Sequence, residues 1–77
     1  MKWSKEKDEV GYMHFLPVNK DYSLKVEKSR GGDYFISLVT FSEGDCIDSD
    51  VVYAGSLAVA KKKAEDLLSS GKWEELI

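Results

Sequence analysis

The sequence predicts an α+β fold: an antiparallel meander of three or four strands with one C-terminal helix packed on one face of the sheet. Three observations lead there. Tyr22 to Lys28 alternates apolar and polar residues. Two turn-rich segments, Ser29 to Asp33 and Ser42 to Asp45, separate it from two further strand-like runs. Apolar residues between Leu57 and Leu68 then recur at helical spacing. Successive hairpins with short loops favour an antiparallel meander over a parallel sheet.

Met1 to Glu9 is dominated by charge, so a flexible N-terminal segment is expected, with Trp3 its one anchor. Val10 to Leu16 alternates loosely and carries Tyr12 and Phe15, which suits a short strand. Pro17 stops that strand or confines it to an edge, because proline cannot donate to a ladder. Asn19-Lys20-Asp21 reads as a turn. In the next strand Tyr22, Leu24 and Val26 share one face, and Ser23, Lys25 and Glu27 the other. Gly31-Gly32 supplies the positive φ of a hairpin turn. Tyr34 to Phe41 is apolar on both sides, with Tyr34, Ile36 and Leu38 on one and Phe35, Val39 and Phe41 on the other. A central strand covered on both faces has that pattern. Cys46 to Ala54 returns as a third clear strand with Ile47, Val51 and Tyr53 on one face. Ser56 is a good N-cap for a helix whose Leu57, Ala60, Ala64, Leu67 and Leu68 form one arc. Val59 falls off that arc and is expected to be exposed. Gly71 is expected as a left-handed cap, with Trp73, Leu76 and Ile77 tucked back onto the core.

Seventy-seven residues make a single domain, 1–77, resting on a margin of about 4–12 kcal/mol. The 43% hydrophobic and 12% aromatic content is too high for a disordered chain. Cys46 is the only cysteine, so no internal disulfide can form. The charged start does not resemble a signal peptide, and no stretch has the length of a membrane span. The expected compartment is a reducing cytoplasm. The net charge of −3 argues against a general nucleic-acid binder. Charge is unevenly spread: residues 31–60 hold no Lys or Arg but five acids, Asp33, Glu43, Asp45, Asp48 and Asp50.

No catalytic constellation is visible, and none is expected. His14 and Cys46 are the only histidine and cysteine, read as a turn-side side chain and a buried thiol. The carboxylates of Asp45 to Asp50 lack the central glycine and late glutamate of a calcium loop, so neither a metal nor a cofactor is expected. Lys61-Lys62-Lys63 is the only basic run, either a solvated helix face or a set of phosphate contacts, with Lys62 able to pair with Asp66 one turn on. One helix covers one face of a sheet, yet Tyr34 to Phe41 is apolar on both. Either the N-terminal segment and Trp73 cover the second face, or that face receives a protein partner or a second copy. The expected docking site is Phe35, Val39 and Phe41 with an acidic rim of Glu43, Asp45, Asp48 and Asp50, suited to a partner with a basic groove.

From Tyr22 to Leu68, three strands followed by Ala54-Gly55-Ser56-Leu57-Ala58-Val59-Ala60-Lys61-Lys62-Lys63-Ala64, the layout resembles the closing part of double-stranded-RNA-binding domains. It is similar also to HicB-type antitoxins and to small phage accessory proteins, anti-CRISPR proteins among them. The first comparison implies phosphate contacts from Lys61, Lys62 and Lys63, although Leu57-Ala58 stands where that family puts its lysines. The last implies a phage-encoded, non-enzymatic inhibitor of a host defence complex, a basic-grooved nucleoprotein in the host cytoplasm. A nucleic-acid-binding module and a small homodimeric structural protein are the alternatives.

Overall fold

A computed structural model describes residues 2–7, 9, 11–52 and 55–77. Five strands, β1 (Ser4–Lys7), β2 (Tyr12–Pro17), β3 (Tyr22–Lys28), β4 (Tyr34–Thr40) and β5 (Cys46–Val52), precede one helix, α1 (Leu57–Ser69). The strands lie side by side in chain order as one antiparallel sheet. The α+β meander is as expected, with one strand more than the three or four predicted. The extra strand is β1, in the segment expected to be flexible. Its four residues are all exposed and none is apolar, so no periodicity announces it. It pairs through its backbone, with Ser4 opposite Phe15 and Lys7 opposite Tyr12. A charged, short strand is also what a sheet edge tolerates.

Turn chemistry sets the registers. Asn19 Oδ1 accepts from the backbone N–H of Asp21 (2.8 Å) and of Tyr22 (2.9 Å), closing the β2–β3 turn. Gly32, at φ +94°, completes the β3–β4 turn in a conformation that costs other residues energy. Between β4 and β5 the pairing shifts: Leu38 faces Asp48, but Val39 faces Cys46. Ile47 is therefore the extra residue of a bulge on β5.

The core lies between the sheet and the helix. Leu16, Leu24, Val26, Ile36 and Leu38 meet Ala60, Ala64 and Trp73, all buried. Alanine at positions 60 and 64 lets α1 approach the sheet closely. Ser56 caps the helix, its Oγ accepting from Val59 N–H at 3.3 Å. Val59 is exposed as expected. After Gly71, at φ +85°, the chain turns back and seats Trp73 on β5, where its Nε1–H donates to Asp48 Oδ2 at 2.8 Å. Leu76 and Ile77, expected to tuck in, are exposed; of the tail's three large apolar residues only Trp73 is buried. Cys46 is exposed rather than buried, since it starts β5 beside the bulge. His14 sits mid-strand in β2, opposite Val26, and not at a turn. Val10, Tyr53 and Ala54, expected in strands, lie outside the described residues.

Candidate functional site

The helix, Trp73 and Trp3 all pack against the same side of the sheet. The alternative cover for the second face, the N-terminal segment with Trp73, is therefore not what the fold uses. No described residue outside the strands and their turns covers that second face. Register assigns it Ser4 and Glu6 of β1; Met13, Phe15 and Pro17 of β2; and Ser23, Lys25 and Glu27 of β3. Phe35, Ser37 and Val39 of β4 and Ser49 and Val51 of β5 complete it.

Three of these residues are buried without any helix above them: Val39 (1% exposed), Ser37 (4%) and Ser23 (5%). Val39 and Ser23 are cross-strand partners. A groove of about 500 Å³ lies on this face. Ser4 and Glu6 form one wall, and Thr40, Phe41, Glu43 and Gly44 the other. Met13, Phe15, Pro17, Ser23 and Lys25 line the floor. Phe41, 56% exposed, is an aromatic side chain open to solvent in the groove's lining. Thr40 shapes the wall beneath it: its Oγ1 accepts from Asp45 N–H at 3.0 Å, and its backbone oxygen accepts from Gly44 N–H at 2.9 Å.

Of the residues expected in a docking site, Phe41 and Glu43 line the groove, with exposed Asp45 in the same turn, whereas Val39 lies on the same face but is buried. Phe35 shares the open face but lies six residues from Phe41, about 20 Å along the strand, opposite Val51. Asp48 and Asp50 do not belong to this site. They pair with Leu38 and Ile36, whose side chains form the core, so both carboxylates stand on the helix-covered face. Asp48 is moreover held by the Trp73 indole. The acidic rim of the groove comes instead from Glu6 and Glu43. Lys25 is occupied by Glu27 (3.3 Å) on the same face. Glu6, Phe15 and Pro17 were not foreseen; the aromatic strand carrying Phe15 and Pro17 was visible, but its pairing with β1 was not.

Lys61, Lys62 and Lys63 do not form a shared surface. Lys62 pairs with Asp66 at 3.0 Å on the exposed side of α1. Lys61 turns the other way and places Nζ 5.5 Å from the centroid of the Trp3 ring. Among the described residues no group of His, Cys, Asp and Glu is arranged to hold a metal ion, and no helix is long and apolar enough to cross a membrane. Comparison with protein-family models, with curated proteins and with solved structures returns no match to the chain.

Proposed function

We propose that this chain is a non-enzymatic binding protein that docks on another protein through the groove of its open sheet face. The observation that carries the reading is Phe41, largely exposed in the lining of an apolar groove whose two walls bear Glu6 and Glu43. Exposed aromatic rings beside concave apolar surface are where binding energy concentrates in protein interfaces. Among the described residues lining the groove the one base is Lys25, already paired with Glu27, so the carboxylates on both walls select the occupant. It is a protein segment that presents an apolar side chain flanked by lysine or arginine.

The finer form of the proposal follows from the resemblance to small phage proteins. The partner is then a host defence complex, and its basic nucleic-acid-binding surface supplies the flanking cations. The acidic composition and small size support this reading.

A random peptide library displayed against the immobilised protein tests the docking claim. Selected peptides are expected to share an aromatic or aliphatic residue next to Lys or Arg, and to be lost on Phe41→Ala or Glu43→Lys. Selection of acidic peptides, or retention by both variants, contradicts it. A concentration-dependent dimer that both variants abolish would assign the groove to a second copy instead.

A further inference from the structure

The other side of the sheet carries a second, oppositely charged surface. Lys7 stands opposite Tyr12 across β1 and β2, and Lys28 opposite Tyr34 across β3 and β4. Tyr12 and Lys28 lie one step beyond the Met13–Glu27 pair. The register thus draws a transverse row across four strands, Lys–Tyr–Lys–Tyr, at the end of the sheet beside the start of α1. A cleft of about 260 Å³ opens there, lined by Gly11, Tyr12, His14, Lys28, Tyr34 and Leu57. Lys5 and Lys61 flank it: Lys5 Nζ lies 4.7 Å from the centroid of the Tyr12 ring, and Lys61 lies over Trp3.

Among the described residues none of these cations has an ion-pair partner. The ion pairs among the described residues are Lys25–Glu27 and Lys62–Asp66, and neither involves Lys5, Lys7, Lys28 or Lys61. His14 registers their field, its pKa lowered by burial and then by Lys61 and Lys5. Among the strand residues of this face the acids are Asp48, taken by Trp73, and Asp50, three strands from His14 and about 14 Å away; Glu9 and Asp33, in the turns at this end, form no ion pair with the lysines. The chain's net negative charge is therefore no guide to this cleft. Unpaired ammonium groups call for phosphate, and ring faces between them call for a planar group at the same spacing.

We propose that this cleft binds a short stretch of single-stranded nucleic acid, with a base stacked on Tyr12 or Tyr34 and the neighbouring phosphates held by Lys5, Lys28 and Lys61. Nucleic acid supplies ring and phosphate together. An anionic lipid surface would meet the lysines but leave the half-buried Tyr34 unused.

Fluorescence anisotropy with a labelled oligothymidylate of about ten nucleotides tests the proposal, a length within the range that single-strand binding folds occupy. Binding is expected whose logarithm falls linearly with the logarithm of salt, with a slope near about −2 for three phosphate contacts. Tyr12→Ala should weaken it roughly 5- to 150-fold. Tyr12→Leu, which keeps apolar bulk at this exposed position, should weaken it too. Lys28→Ala with Lys61→Ala should flatten the salt slope. Lys62→Ala with Lys63→Ala, and Phe41→Ala in the groove, should change nothing. Three outcomes would overturn the proposal. One is no binding at low salt. Another is loss in the Lys62/Lys63 variant with retention in the Tyr12 variants. The third is retention on phosphatidylserine vesicles by a protein that ignores the oligonucleotide.

Discussion

The indole of Trp73 reaches a carboxylate 25 residues earlier in the chain, and that contact decides what Asp48 is for. A buried ring with its one donor satisfied anchors the C-terminal turn to β5. Removing the acceptor leaves the N–H without a partner in a buried place. Asp48→Ala is therefore expected to destabilise the fold by about 1–3 kcal/mol in urea unfolding, whereas Asp50→Ala should stay within about 0.5 kcal/mol. Equal effects would mean that the two acids are equivalent rim charges after all. His14 makes a second residue-level test. Burial, Lys61 and Lys5 all disfavour its charged form, so its folded pKa lies below the unfolded value near 6.5. The unfolded chain then takes up the proton first. The stability His14 contributes is fully present above about pH 6.5 and is lost as pH falls through the folded pKa. Urea midpoints measured from pH 7 to 5 should fall less in His14→Gln than in the parent protein.

At the scale of elements, α1 depends on its cap and on two small residues. Ser56→Ala should cost about 0.5–2 kcal/mol, since the Val59 N–H loses its acceptor. Ala64→Leu should cost about 1–3 kcal/mol, because α1 touches the sheet at that residue and cannot make room for a larger one. A helix that tolerated both would not be packed as described; thermal unfolding followed by circular dichroism measures each. These elements were legible in the sequence for physical reasons. Strand β3 matches its expected limits because clean alternation is bracketed by an Asn-containing turn and a Gly-Gly turn. The helix matches because Ser56 and Gly71 mark its ends. Strand β1 was not legible, because Ser-Lys-Glu-Lys has no apolar side chain to phase. The same gap hid half of the groove. Phe41 and Val39 could be placed on one face by alternation, but Glu6 needed the register of β1. The faces of Asp48 and Asp50 needed the turn length and the bulge at Ile47, neither of which is encoded in local polarity.

For the whole molecule, one sheet separates two chemistries. The open side holds a groove between Glu6 and Glu43 with Met13, Phe15, Pro17 and Phe41 in its lining, and the helix side ends in a row of lysines and tyrosines. On the two proposals made above, ligands of opposite charge would meet opposite faces of the sheet. The thin stability margin, about 4–12 kcal/mol, also means that a test of the groove is cleanest with variants at exposed positions. Phe41 and Glu43 meet that condition. The most direct measurement is to titrate the isotopically labelled protein with a selected apolar, basic peptide and follow its backbone amide NMR signals. The docking account predicts shifts concentrated at Glu6, Phe15, Ser23, Lys25, Phe41, Glu43 and Gly44, with Tyr12, Lys28 and Tyr34 unmoved. Shifts confined to the helix side, or binding that leaves the signals around Phe41 in place, would contradict it.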